Sequence, residues 1–321
     1  MPSEIKNPLT GSATVELVDT VKSNIIIELY RTQVGVDVSG FFSNITDVFI
    51  YKCPVTQYRF YYPATLAGDE RFYIEMQVLG ERSGQTYYRT NGFDHQFAFK
   101  AIADNSEVLE IGTGNGSFMK SLLPKTGNVT GLELNSKVAE MCRMEGLEVF
   151  DELIEKHAER KPGFYDVVCS FQVLEHVYEV KEFIQGALAV LKPGGQLIIS
   201  VPNNEPYHMR YNKYETLNLP PHHIGLWNKE SLKNLEKLFP VNLKEVVFCD
   251  PHNLKADAYH RVKKWIGSKS LIKDLSLAEK IKIALLLPFS FPLSLIDKAL
   301  GRIRGSQICV LFEKKQESKK L

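Results

Sequence analysis

From residue 107 onward, short, mainly apolar runs alternate with longer segments in which apolar residues recur every three or four positions. The runs are EVLEIG, NVTGLEL, LEVF, YDVVCSF and GQLIISVP; between them stand GSFMKSLL, SKVAEMCRMEG, ELIEKHAE and VKEFIQGALAVLK. Such alternation predicts a parallel sheet with helices on both faces. Strands apolar on both of their faces, rather than alternating, belong where both faces are covered. In sheets of this kind ligands bind beyond the carboxyl ends of the strands, near the point where strand order reverses. The informative residues are therefore those just after each apolar run.

The chain before residue 100 reads differently. Positions 41–73 carry ten aromatics. DVFIYKC and YRFYY predict two short strands around a PVTQ turn, with Phe49 and Tyr51 facing Tyr58, Phe60 and Tyr62. Asp69 is placed to cap a helix over DERFYIEMQVLG, with Gly80 as its stop. Residues 1–95 are thus expected to form a small α+β appendage, and 96–315 the main domain. The rings are read first as the appendage's core and second as a clamp that stacks on an acceptor. Segment 257–305 is expected to be a helical insertion, and 316–321 a solvated basic tail. Its longest apolar stretch, IALLLPFSFPLSLI at 283–296, holds 14 residues with Pro288 and Pro292 inside. That falls short of the ~20 residues a membrane-spanning helix needs, so it is read as buried or interfacial.

Composition narrows the partners. The 321 residues are 44% hydrophobic and 24% charged, an ordinary globular balance, and the formal charge is only +1. No global field attracts nucleic acid, and none is expected as a partner. Cys53, Cys142, Cys169, Cys249 and Cys309 are scattered, with no CxxC pair. That spacing argues against a disulfide framework or zinc ribbon and fits a reducing compartment. The opening MPSEIKNPLTGS has neither a basic start nor an apolar run, so a cytoplasmic location is expected.

The first apolar run leads directly into Gly112-Thr113-Gly114-Asn115-Gly116-Ser117, a loop in which glycines permit a tight backbone and close approach of a ligand. The dinucleotide fingerprint requires GxGxxG; here the spacing is GxGxG, and Ser117 occupies the third glycine's place. Glu110, at the end of the preceding run, would repel a pyrophosphate yet suits a ligand carrying an ammonium and a sulfonium. The pattern therefore favours S-adenosylmethionine over a nicotinamide cofactor. Glu133, at the end of the second run, is placed to accept hydrogen bonds from a ribose diol, or alternatively to sit at the N-terminus of SKVAEMC.

VLEIGTGNGSF, GLEL, FYDVVCSFQVLEHV and LKPGGQLIISVPN stand in that order. The series resembles the motifs of class I S-adenosylmethionine-dependent methyltransferases. It is most similar to the branch that holds ubiquinone-biosynthesis and bacterial sugar and natural-product methyltransferases. The resemblance is strong over 107–202 and looser to 313. It implies a seven-stranded Rossmann-like sheet, mostly parallel, whose last strand (SQICVLFEKK) is an antiparallel edge strand. It also implies a cradle for the methionine part at Glu110, Gly112, Thr113, Gly114, Asn115 and Gly116, and contacts to ribose and adenine at Glu133 and Leu134. Phe171 and Gln172 would line the site near the methyl group. After the third run, only Phe150 and Asp151 offer themselves for adenine. SFQV stands where adenine-N6 or glutamine methyltransferases carry an Asn/Asp-Pro-Pro-aromatic motif; an arginine-binding double-glutamate loop and a carboxylate triad for Mg²⁺ are missing too. Cys53 stands alone where related chains carry a pair, so no zinc knuckle is expected.

An alcohol acceptor must lose a proton, for which a histidine is suited. His176 in LEHV, expected at a helix start, His208, and His222 and His223 in PPHHIGLW are the candidates. The last two follow the fifth strand, where a lid over the acceptor would sit. Adjacent side chains in extended chain point apart, so PPHH is read as offering one histidine inward, and no metal is expected. The acceptor implied is a small molecule: a sugar, a glycolipid precursor or a phenol. Peripheral membrane contact through 283–296 is an additional reading, beside packing over the site or a dimer contact.

Overall fold

The computed structural model describes residues 5–82, 91–205, 215–250, 254–268, 275–301 and 304–316. The first part builds an antiparallel sheet from β1 (Glu16–Lys22), β2 (Asp47–Lys52) and β3 (Arg59–Tyr62), with α1 (Ser23–Leu29) and α2 (Glu70–Arg82) beside it. Register pairs Phe49 with Tyr62 and Tyr51 with Phe60, as the aromatic alternation predicts. Asp69 caps α2 through Phe72 N–H (2.9 Å). Gly80 does not end α2, which continues through Arg82; one glycine costs an exposed helix only about 1 kcal/mol. Tyr30, Phe42, Tyr61, Leu66 and Phe72 form this part's core, so most of the aromatic run is packing.

The main sheet follows α3 (Phe93–Ala101). Its strands and helices alternate: β4 (Val108–Ile111), α4 (Ser117–Thr126), β5 (Val129–Leu132), α5 (Ser136–Met144), β6 (Glu148–Phe150), α6 (Ile154–Arg160), β7 (Tyr165–Phe171), α7 (Val180–Val190) and β8 (Leu191–Pro202). The short β9 (Gly225–Leu226) and α8 (Lys229–Lys233) lead to β10 (Val241–Phe248). The insertion α9 (Leu254–Trp265) and α10 (Leu277–Ala299) comes before β11 (Gln307–Lys314). Strand order in the seven-stranded sheet is β10-β11-β8-β7-β4-β5-β6. β11 is antiparallel, as expected, but it is not the edge strand: it lies between β8 and β10. Its all-apolar Ile308–Phe312 explains this, since a strand buried on both faces fits an interior position.

Alternate residues of each strand serve two cores. Leu109, Leu197 and Ile199 pack with α6 and α7, whereas Val108, Cys169 and Ile198 pack with α3, α4 and α5. Strand order reverses between β4 and β7, which sets the ligand crevice beyond Ile111 and Phe171. The PPHHIGLW stretch crosses between the two parts of the chain. β9 adds a fourth strand to the N-terminal sheet, pairing Gly225 with Phe60. No helix among the described residues is long and apolar enough to cross a membrane.

Candidate active site

A cavity of about 1380 Å³ opens beyond the carboxyl ends of β4, β5 and β7. Pockets for one small ligand run to roughly 1,000 Å³, so this one has room for two. Its lining includes Glu110, Gly112 to Asn115, Glu133, Leu134, Phe171, Gln172, His176, His222 and His223. All these sequence-predicted residues therefore meet in one cavity. Gly116 stands one step behind, as the N-cap of α4. His208 lies outside the described residues.

At the strand end, Gly112, Gly114 and Gly116 all hold positive φ (76°, 52° and 71°). A Cβ on Gly112 would stand 2.3 Å from Val173 Cγ2, and one on Gly116 2.3 Å from Leu147 Cδ1. Both conformation and close approach thus require glycine there. Gly112 N–H and Thr113 N–H donate to Leu132 O (2.8 and 3.0 Å), which ties the loop to β5. Asn115 Oδ1 accepts from Ser117 N–H at 3.2 Å. Thr113 Oγ1 donates to Glu110 Oε2 (2.8 Å).

Glu133 is held at both oxygens: Oε2 accepts from Gly114 N–H and Oε1 from Asn135 N–H, each at 2.9 Å. Burial pushes the Glu110 carboxyl up to about 8, with the Thr113 hydrogen bond opposing and the neighbouring charges of Glu133 and Asp94 adding to the rise. Burial also raises Glu133, against its backbone hydrogen bonds. No ion pair to either carboxyl is found among the described residues. A buried acid and a half-buried one facing a cavity lined by glycine backbone fit a ligand that brings its own positive charge. Leu134 is exposed at the rim. Past β6 the lining comes from Glu152 and Leu153 rather than from Phe150 and Asp151, because Phe150 turns its ring toward Arg160.

Phe171 closes β7 edge-on to Phe118, with ring centroids 4.9 Å apart. Gln172 adopts positive φ (56°) and donates through Nε2 to Ser200 Oγ (2.8 Å). Ser200 Oγ in turn donates to the buried Asp94 Oδ2 (2.7 Å). Asp94 and His95 of α3, and Tyr73 and Met76 of α2, also line the cavity. Sequence reasoning missed these four. Nothing in their local pattern marks them, since α2 is an ordinary amphipathic segment and α3 has no sharp apolar face of its own. Glu175 was missed as well. It is 1% exposed, lines the same cavity, and its Oε2 has no hydrogen-bond partner.

The histidines lie together, contrary to one expectation. His222 and His223 do not point apart: their rings stack at 4.5 Å with planes 21° from parallel. The turn at Pro221–His222 breaks the extended geometry on which that expectation rested. His176 sits in the turn before α7, not at the helix start, with ring centroids 4.8 and 5.0 Å from the other two. Ile224 N–H and Gly225 N–H both donate to Glu175 O (2.9 Å), clamping the PPHH turn onto the His176 turn. Burial is the main cause that lowers all three imidazoles, His176 to about 3, so each ring is neutral at pH 7. Glu175 is pushed up to about 8 by burial. The 3.9 Å approach of Glu175 Oε1 to His176 Nε2 is therefore not an ion pair.

Residues 87–239 match the family model for a methyltransferase domain. The ubiquinone biosynthesis O-methyltransferase of Pectobacterium carotovorum subsp. carotovorum is 33% identical over 103 residues, covering 30% of this chain and 43% of its own. That of Vibrio cholerae serotype O1 is 35% identical over 102 residues, covering 30% and 42%. The chain thus spans less than half the length of the curated relatives it matches. A solved S-adenosylmethionine-dependent methyltransferase from Archaeoglobus fulgidus aligns over 77% of this chain and all of its own, with 15% identity and a TM-score of 0.46.

Proposed function

We propose that this protein is a class I S-adenosylmethionine-dependent enzyme that methylates a hydroxyl of a small-molecule acceptor, a reading supported by the match of residues 87–239 to a methyltransferase domain. The observation that carries the reading is the buried Glu110 and the half-buried Glu133 at a glycine cradle that shares one cavity with three histidines. Bound there, S-adenosylmethionine supplies an electrophilic methyl group on a cationic sulfonium. Glu110, Gly112, Thr113, Gly114, Asn115 and Gly116 receive the methionine part. Glu133 takes the ribose diol, Leu134 flanks the adenine, and Phe171 and Gln172 hold the methyl end. The rest of the cavity receives the acceptor, with its hydroxyl at His176, His222 and His223, where its proton is withdrawn. Holding both partners at attack distance supplies much of the acceleration.

The acceptor is read first as a sugar or glycan or glycolipid precursor. The ubiquinone O-methyltransferase relatives favour a phenol-like ring as the second reading. Labelled methyl transfer to sugar nucleotides, lipid-linked sugars and phenols is the test. His223→Ala or His222→Ala is expected to lower turnover by about 100-fold or more. Full turnover in both variants would overturn the histidine role, and cofactor binding without transfer to any acceptor would leave a non-catalytic binding protein. We place the reaction in the cytoplasm, a reading supported by five buried cysteines that form no disulfide.

A membrane surface is the further partner read here. On α10, Leu277, Ile281, Leu285, Phe289, Leu293 and Ile296 are exposed, at spacings that keep them on one face. Ile283, Ser290 and Ser294 are buried on the opposite face, where Ser290 and Ser294 bond to α9. Lys280, Lys282 and Lys298 accompany the apolar stripe, which suits an anionic lipid surface. Replacing Leu285 and Phe289 together by Glu is expected to weaken binding to phosphatidylglycerol vesicles on the order of 100-fold. Unchanged co-sedimentation would remove this partner.

A further inference from the structure

We propose that His176, His222 and His223 form the protein half of a divalent metal site of the zinc class, whose open position receives the acceptor's hydroxyl oxygen. The purpose of the site rests on the methyl-transfer reading above; its geometry does not. One ligand nitrogen of each histidine lies within 4.8 Å of the others. Tetrahedral zinc at ~2.0–2.1 Å from each nitrogen brings them about 3.3 Å apart, so closing the site needs ring shifts of about 1 Å. The Ile224 and Gly225 bonds to Glu175 O hold the two turns in register for that closure.

The outer contacts orient the rings. His176 Nδ1 lies 2.6 Å from His222 O, His222 Nδ1 2.9 Å from Leu217 O, and His223 Nδ1 2.9 Å from Asn218 Oδ1. A carbonyl oxygen only accepts, so each Nδ1 carries the hydrogen and each Nε2 carries the lone pair. Asn218 Nδ2 donates to Asn204 Oδ1, which fixes the Asn218 oxygen toward His223. An Nδ1–H held by a fixed oxygen is the arrangement that aims Nε2 at a metal. A second observation comes from Glu175. Its side chain is 1% exposed, Oε1 stands 3.9 Å from His176 Nε2, and Oε2 is without a partner. A dication at the Nε2 side gives this buried carboxyl the counter-charge that no described residue supplies. Three imidazoles select zinc, cobalt or nickel; magnesium and calcium require oxygen ligands.

Three protein ligands with a fourth position open is the arrangement of catalytic zinc. An alcohol or phenol oxygen bound there becomes more acidic, as metal-bound water does. The oxygen then loses its proton to solvent and forms the new C–O bond as the methyl–sulfur bond breaks, leaving the ether and a neutral thioether. The same three histidines that receive the hydroxyl thus do so through the ion.

The test uses tag-free full-length protein stripped with chelator. Titration with Co²⁺ is expected to give the visible absorption of a four-coordinate nitrogen-rich site at one ion per chain, displaced by Zn²⁺. His222→Ala and His223→Ala are each expected to weaken that binding at least tenfold while keeping the wild-type thermal midpoint within a few degrees and their affinity for S-adenosylmethionine. His223→Cys, which keeps a zinc ligand, is expected to restore metal binding with a charge-transfer band from the thiolate. Absence of stoichiometric binding in the wild type, or equal binding in both alanine variants, overturns the site. Stoichiometric metal without any affinity for S-adenosylmethionine leaves the site standing and overturns the methyl-transfer reading instead.

Discussion

Glu110→Gln is expected to lower affinity for S-adenosylmethionine by roughly 10- to 100-fold, because a hydrogen bond to a charged group contributes about 1.5–3 kcal/mol. Glutamine keeps the shape and the Thr113 contact but not the charge. Proton uptake and release make the reading specific. Burial holds the free Glu110 carboxyl near 8, so it is mostly protonated at pH 7. A cationic ligand draws it into the ionised form, so binding releases up to about one proton and affinity rises with pH, by up to about tenfold per unit, until it levels off near 8. Calorimetry in two buffers of different ionisation heat measures the release. An unchanged affinity and the same proton release in the Gln variant would remove Glu110 from the cofactor's charge balance.

Stability of the ligand-free protein follows the same linkage with a definite sign. Glu110 and Glu175 are both raised from 4.5 to about 8. The folded chain therefore binds more protons than the unfolded one between these limits. Their contribution is fully present below about pH 4.5 and is lost as pH rises through 8. Thermal midpoints of the ligand-free protein are expected to fall over that window, and less steeply in Glu110→Gln.

Trp227→Ala is expected to cost about 3–5 kcal/mol, the range for emptying a buried large aromatic site. For a domain of this size that lowers the thermal midpoint by about 10 °C. Trp227 is fully buried, its ring 4.3 Å from Tyr58. Its carbonyl accepts from Asn204 N–H (2.8 Å), and the preceding Gly225 pairs with Phe60 of β3. The residue therefore fastens the end of β8 and the N-terminal sheet to the turn that carries His222 and His223. Its indole Nε1 and Tyr58 Oη are both buried without a partner. Trp227→Phe removes one of these orphan groups and is expected to cost far less than Ala. Differential scanning calorimetry decides, and equal losses in both variants would contradict the packing account.

Much of this was legible in the chain. The parallel sheet follows from apolar runs alternating with helical periodicity, and the cradle follows from glycines directly after a strand with acids at two strand ends. These are local signals, set by residues within a turn or two of each other. The position of β11 inside the sheet was not legible, since strand order depends on which apolar edges meet and not on any one strand. Nor were Asp94, His95 and Tyr73, which reach the cavity from helices whose own patterns are ordinary.

The histidines mark the division best. By itself the sequence determined that PPHHIGLW follows the fifth strand and that its prolines stiffen the approach to two imidazoles. Only the tertiary structure decided that both rings face one side, that His176 joins them, and that β9 draws the turn into the N-terminal sheet. The physical reason is that backbone hydrogen bonds from Ile224 and Gly225 to Glu175 O, nearly fifty residues earlier in the chain, fix where those rings stand. No periodicity within either segment encodes a contact over that separation.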